Sequence, residues 1–432
     1  MADRHGPIRL VAWAVATAVT MGAIVAAPGV AGASPVTITY WQYEYPSKVK
    51  AINELIRQFE AENPGIKVVH QTFPYEAYNQ RVAASVPAGR GPDVVNLFYG
   101  WLPLYVESGY LQPLPPDAFP PAQIEAEFAP MVQAAKLDGK YWALPTAVRT
   151  LALFYNKDML KQAGFQGAPA TWDEFLKAAE ALTERSDSRF RRVGFAVAPN
   201  GQDHHLVREV LFRQWGTAPY SEDGRKVTYD NPQGAAALGF YTDWVTKYRI
   251  GVLNFFPGDS GYRDALMQGL AAMIVDGSFA VGSIKSGARV DWGVAELPTG
   301  GPHPLRSNFG SFWANGITRN ARGEKLDAAV KFLKFLTSEK AMRYWLEVVG
   351  EIPARRALAD DPALRKDPVY GPFIASLPYA HATFFVDESG QRQVMLDAIN
   401  AVILQGVPPA QALAQAAQRE QKILDDFWAK RR

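Results

Sequence analysis

The stretch that decides the fold is Val36-Thr37-Ile38-Thr39-Tyr40, followed by Lys48 to Ala61 and then Ile66 to His70. The first five residues are β-formers. In the second segment Ile52, Leu55, Ile56 and Phe59 recur at i, i+3, i+4 and i+7, which predicts one apolar helix face. Asn63-Pro64-Gly65 stops that helix, and a second short strand follows. Tyr75 to Val86 then reads as a helix and Pro92 to Leu97 as a third, buried strand. Strands alternating with helices at this spacing predict βαβ units and a mainly parallel sheet. Ligands of such sheets lie beyond the carboxyl ends of the strands, which directs attention to Trp41, Tyr43, Glu44, Tyr99 and Trp101.

Outward from this core the pattern continues. Leu144 to Asn156 is an apolar strand, and Thr171-Trp172-Asp173-Glu174 is a capping box opening a helix to about Leu182. Helices are predicted at Leu206 to Trp215, Pro232 to Tyr248, Tyr262 to Gly269, Lys325 to Thr337, Ser338 to Val348 and Ala410 to Lys430. Short strands are predicted at Ala271 to Val275 and Trp292 to Glu296.

Composition bounds the function. With 432 residues, 48% of them hydrophobic, the chain exceeds what one core supports, so two lobes are expected. Net charge is +2 from 45 basic and 43 acidic side chains, which argues against nucleic acid or an anionic membrane as partner. At the start, Arg4 and Arg9 precede the apolar run Leu10 to Ala27, and Ala31-Gly32-Ala33 offers a cleavage site. The run is near the length that spans a bilayer, so an uncleaved anchor is the competing reading. Small residues dominate it and Pro28-Gly29 break it, so residues 1–33 are expected to be a removed signal peptide, with the mature chain starting at Ser34 in the periplasm. Cysteine is absent, including the lipid-attachment cysteine of tethered exported proteins, so a freely diffusing monomer is expected.

The order of motifs resembles the extracellular solute-binding proteins of ABC importers, specifically the maltose-binding-like sugar group. The resemblance rests on Ile38-Thr39-Tyr40-Trp41, on Phe59 to Ile66, on Gly91-Pro92-Asp93-Val94-Val95 and on Asp138-Gly139-Lys140-Tyr141-Trp142-Ala143-Leu144-Pro145. It continues through Phe154-Tyr155-Asn156-Lys157-Asp158, Thr171 to Phe175, Met273 to Phe279, Trp292 to Pro298 and Ala329 to Ser338. It implies an α/β, two-lobed periplasmic-binding-protein fold, each lobe a mainly parallel sheet flanked by helices, with a ligand cleft and hinge between. By position, lobe one is expected at residues 34–145 with 297–336, and lobe two at 146–296 with 337–432. The implied partners are a small carbohydrate and the ABC permease, with no cofactor and no metal.

Sugars need aromatic platforms for their C–H faces and fixed polar groups for their hydroxyls. Trp41, Tyr43, Glu44, Tyr99 and Trp101 supply both at strand ends; the bland reading of each ring is cover for the lobe core. Gly100 and Trp101 stand where the resembling maltose binders carry an acidic and a basic residue, and Arg149 where they carry a glutamate. Arg149 can clamp a carboxylate or phosphate, which makes an anionic polyol or sugar phosphate such as glycerol phosphate the alternative ligand, or it can form a salt bridge to Glu44 or Asp276. Ser278, Phe279, Gly310, Trp313 and Arg355 are further candidates on the family pattern, with Phe384 a weaker one. Trp313→Ala is expected to weaken binding with little effect on stability.

Gly258-Asp259-Ser260-Gly261 copies a serine-protease signature but precedes a helix in a βα chain, away from a matching His context. Asp203-His204-His205 with Glu209 offers a helical metal spacing, although Asp203 fits an N-cap equally. Glu44 and Asp276 could be imagined as the carboxylate pair of a glycoside hydrolase. Binding without catalysis is the expectation.

Overall fold

A computed structural model describes residues 34–431, apart from residues 187, 188, 259 and 304 and the side chain of Glu76. The expected leader lies outside the described residues. Strand β1 (Val36–Tyr43) runs parallel to β2 (Ile66–Phe73) and to β3 (Val94–Phe98), with helices α1 (Pro46–Glu62) and α2 (Tyr75–Ser85) as the connections. The α1 face buried against the sheet carries Ile52, Leu55, Ile56 and Phe59, the stripe the spacing predicts. Each such side chain contributes roughly 1.5–3 kcal/mol by leaving water, and Leu55→Ala would cost about 2–5 kcal/mol. Lys48 lies on the same stripe, one turn before Ile52, and is buried with it. Asp93 pins β1 to the loop before β3, accepting the Thr39 amide at 2.8 Å and the Thr39 hydroxyl at 3.1 Å.

Two long strands carry the chain through the middle of the sheet. Ala143–Asn156 and Asn308–Ile317 pair antiparallel, from Gly310 opposite Thr150 to Gly316 opposite Ala143. Past Leu151 the first strand changes neighbours and pairs with Ala271–Gly277 and Trp292–Ala295. One twisted sheet results, in the order β2, β1, β3, 308–317, 143–156, 271–277, 189–195, 184–186. The expectation of mainly parallel sheets is therefore corrected to a mixed sheet. Parallel pairs flank the centre, the edge pair 184–186 with 189–195 is antiparallel, and the central pairs are antiparallel because 143–156 leaves the first half while 308–317 returns to it.

Residues 337–355, expected in lobe two, pack against the first half of the sheet. Helix Glu339–Val349 packs on α1, Ile352 pairs with Val148, and the Ala129 amide donates to the Ala354 carbonyl at 2.9 Å. This segment stays with the first half, because the break at Thr337–Ser338 only starts a new helix, Ser338 capping it by accepting the Ala341 amide. The chain reaches the second half by Phe373, whose carbonyl accepts the Thr150 hydroxyl at 2.9 Å. The last two helices, Glu388–Gln405 and Pro409–Ala429, pack on Pro232–Thr246. Buried Arg208 fastens them, reaching Glu420 at 2.5 Å and the Gln391 carbonyl at 2.8 Å.

Candidate solute cleft

Where the sheet halves meet, a cavity of about 360 Å³ opens, within the range of small-molecule sites. Its floor is set by strand parity. Phe309, Ser311 and Trp313 line it, whereas Phe312 and Gly310 point away, Phe312 onto Tyr99 and Gly310 onto Met131. The first wall is the end of β1, with Tyr43, Glu44 and Tyr45, joined by Lys48 and Tyr75. Tyr43 and Trp313 lie 4.1 Å apart between ring centroids at 36°, and Tyr75 stands edge-on to Tyr43 at 5.6 Å, exposed at the mouth. Trp101 braces Trp313 from behind at 5.2 Å.

Beneath this platform two cations share one carboxylate. Glu351 Oε1 accepts Arg149 Nε at 2.6 Å and lies 3.0 Å from Lys48 Nζ, while Glu351 Oε2 accepts the Trp345 indole N–H at 2.8 Å. Lys48 and Glu351 are 2% and 3% exposed. Burial pushes the Glu351 carboxyl up, but Arg149 and Lys48 outweigh it and hold the group at about 2. Burial, with the Arg149 cation beside it, pulls Lys48 down to about 7 against the attraction of Glu351.

The second wall carries a balanced pair. Arg263 reaches Asp276 Oδ2 through Nε at 2.8 Å and Nη2 at 2.7 Å, and Asp276 Oδ1 accepts the Gly277 amide at 2.8 Å. Phe279 receives two guanidinium groups, Arg149 with Cζ 4.9 Å and Arg263 with Cζ 5.7 Å from the ring centroid. His204 and His205 also line this wall. His204 Nδ1 lies 2.9 Å from the Pro199 carbonyl, which can only accept, so Nδ1 carries the proton and Nε2 is left as an acceptor. Burial lowers both imidazoles, His204 to about 3, so both are neutral. His205 stacks on Phe309 at 3.7 Å.

Of the residues expected from sequence, the fold brings Tyr43, Glu44, Arg149, Phe279 and Trp313 to this cavity. Trp41 does not reach it, lying one pleat back against Phe73 at 4.7 Å. Tyr99 is packed between Phe98, Phe312 and Phe385. The Trp101 indole donates to Glu388 at 3.3 Å instead of facing the cavity. Gly100 leaves room for that approach, since a Cβ there would meet Phe385 and Glu388. Ser278 is fully buried and Gly310 has the wrong parity. Arg355 lies in a separate groove, paired with Glu127 and donating to the Thr337 carbonyl at 2.8 Å. Phe384 stacks on Trp428 at 6.1 Å. Arg149 pairs with Glu351, not with Glu44 or Asp276.

The alternative chemistries fare differently. Among the described residues no three His, Cys, Asp or Glu are grouped to hold a metal, and Glu209 is engaged by Arg213 at 3.1 Å and Thr383 at 2.7 Å. Asp203 accepts the Ala198 amide and the Tyr241 hydroxyl, both at 2.7 Å. Ser260 lines the cavity, while Asp259 of the protease-like tetrapeptide lies outside the described residues. Asp276 is sealed beneath Arg263, so it does not face Glu44 across a sugar site. Sequence reasoning missed Lys48, Arg263 and Glu351, of which only Lys48 left a signal, a lysine on the apolar stripe of α1, and it raised His204 and His205 as metal ligands rather than as cleft lining.

The maltotriose-binding protein of Pyrococcus abyssi is 25% identical over 352 residues, 80% of this chain and 72% of that protein. The galactooligosaccharide-binding protein of Bacillus subtilis is 26% identical over 389 residues, 87% of each chain. An ABC transporter solute-binding protein from Thermotoga lettingae, solved with α-D-tagatose, superposes with a TM-score of 0.77 at 25% identity, covering 90% of this chain and 100% of that one. The sequence profile of the bacterial extracellular solute-binding proteins matches residues 54–371, and with the two-lobed fold and its central cleft this makes the chain a member of that solute-binding family.

Proposed function

We propose that this protein is the exported carrier of an ABC importer, closing its two lobes on one small sugar-like solute and presenting it to a membrane permease. The observation that carries this reading is the Tyr43–Trp313 platform at a cavity built from both sheet halves. A pyranose face stacks on Trp313 while its hydroxyls meet Ser311 and Glu44. The relatives' names, two of them for oligosaccharide binders, support the sugar class. No covalent step is invoked, and Asp276 and Glu351 are committed to arginines rather than poised for proton transfer. The lobes divide at the crossing strands near Arg149–Leu151 and Ser307–Gly310 and in the segment 356–371, where a few residues absorb rotation. Residues 1–33 act as the cleaved leader, and the mature monomer works in the periplasm.

Thermal-shift and calorimetric titration of the exported protein against mono- and oligosaccharides tests this. Saturable binding is expected, with a stability gain of roughly 2.7 kcal/mol at one hundred times the dissociation constant. Trp313→Phe should keep part of the affinity. Absence of binding to any sugar, polyol or sugar acid would remove the reading.

A further inference from the structure

We infer that the solute carries an anionic group, a carboxylate or a phosphate, which binds between Arg149 and Arg263 beside Phe279. The inference rests on the solute-binding reading and narrows its substrate class. Its first support is charge balance at the cavity. On the second wall Arg263 is matched by Asp276, and Arg392 stands near Glu388 at the N-terminus of its helix. On the floor, Lys48 and Arg149 have only Glu351 between them, and Glu44 sits exposed at the rim. The phenols of Tyr43 and Tyr45, which also face Lys48, are neutral because burial raises them. One positive charge is left over in a desolvated place, where an unmatched charge is costly. Either Lys48 gives up its proton, consistent with its lowered pKa, or an anion arrives from the cleft.

Geometry supplies the second support. Both guanidinium groups lie within 6 Å of the Phe279 centroid, and each is about one-tenth exposed. Arg149 engages Glu351 through Nε, and Arg263 engages Asp276 through Nε and Nη2, so each keeps further N–H donors for an oxyanion. Arg149 sits on the crossing strand and Arg263 on the second wall, and both already meet at Phe279, so one anion can bridge them.

The test uses solutes matched in shape and differing in charge: D-galactose with D-galacturonate, D-glucose with D-glucuronate and with glucose 6-phosphate, and glycerol with sn-glycerol 3-phosphate. Binding is followed by tryptophan fluorescence, and small molecules released from the denatured exported protein are identified by mass spectrometry. The expected result is that the anionic partner binds about tenfold or more tightly than the neutral one and weakens between about 0.05 and 0.5 M salt. The uronates and the phosphates separate the two anion sources. Arg263→Gln should abolish the anionic preference, and Lys48→Met, which leaves no carboxylate unpaired, should reduce it about three- to tenfold. A neutral solute released from the protein, or neutral and anionic partners binding equally in wild type and both variants, overturns the inference while the carrier reading stands. No binding by any member and nothing released would remove both.

Discussion

Replacing Glu351 by Gln tests whether the buried cluster is organised as described. The carboxylate is held at about 2, against roughly 4.3 for an unperturbed glutamate, a difference of about 3 kcal/mol in favour of the folded, ionised form. The group is 3% exposed, so solvent screening takes little away, and the figure agrees with the roughly 3–5 kcal/mol lost when one partner of a buried ion pair is removed. The amide can still accept the Trp345 indole N–H, so the loss falls on Lys48 and Arg149, left facing each other without an anion. Equilibrium urea unfolding at pH 7 should show Glu351→Gln less stable by about 3–5 kcal/mol, with Lys48→Met within about 1.5 kcal/mol of wild type. The double variant should lose less than the sum, because one of the two stranded cations is gone. The pH dependence has a defined sign. The folded pKa lies below the unfolded one, so this stabilisation is present above about pH 4.3 and is lost as pH falls toward 2, and Glu351→Gln should lack that segment of the acid transition. A Glu351→Gln protein within about 1 kcal/mol of wild type, or a Lys48→Met protein worse than Glu351→Gln, would refute the reasoning.

Lys48 gives a slope of the same sign in a higher window: its folded pKa of about 7 lies below the unfolded value near 10.4, so stability should rise between those pH values in wild type and stay flatter in Lys48→Met, as paired unfolding curves at pH 7 and about 9.5 would show. Trp313→Ala should weaken binding and also cost about 3 kcal/mol of stability, because Tyr43, Phe98 and Trp101 all pack on the ring; this revises the small stability effect expected from sequence, and thermal denaturation without solute decides it. Tyr262 and Gly201 line both the main cavity and a neighbouring one of about 240 Å³, so Tyr262→Ala should join the two and favour longer solutes, read as a changed affinity ratio between mono- and trisaccharides. Gly100→Ala should separate Trp101 from Glu388 and loosen the contact with Phe385, measurable as faster amide exchange in residues 385–392.

What the sequence made legible was local. The capping box at Thr171 and Glu174 forms as read, the Thr171 hydroxyl accepting the Glu174 amide and the Glu174 carboxylate accepting the Thr171 amide. The α1 stripe is likewise visible because one helix face decides it. The strand Asn308–Ile317 was not read as a strand, since Gly310 and Gly316 interrupt its β-formers, yet it forms the cleft floor. Once it is known to be a strand, period two alone separates Ser311 and Trp313 from Gly310, which a motif-based choice of Gly310 and Trp313 together could not respect. Helix Glu388–Gln405 is harder to read for another reason: its buried face, Val394, Met395, Ala398, Ile399 and Val402, recurs at helical spacing, but Leu396, Ile403 and the exposed Leu404 lie off that face and blur the stripe in the sequence. The pairs Arg149–Glu351 and Arg263–Asp276 join residues far apart in sequence or on different elements, and no local spacing encodes them.

Placement of the Lys48–Arg149–Glu351 cluster ties stability to function. Lys48 belongs to α1, Arg149 to a strand shared by both sheet halves, and Glu351 to the residue just before the short pairing of Ile352 and Pro353 with that strand. These elements meet beside the places where the chain passes between lobes, so a rotation that moves Arg149 relative to Glu351 is felt in the most desolvated electrostatics of the cleft. An apolar plug of similar volume would hold the same elements together at comparable or better stability. It would not respond to charge entering from the cavity. A cluster with one surplus cation would respond: on the inference above, an anion between Arg149 and Arg263 offsets the Lys48 charge. A solute shifts the equilibrium between lobes only through differential affinity for the closed state, and this compensation counts toward closure to the extent that it is stronger there.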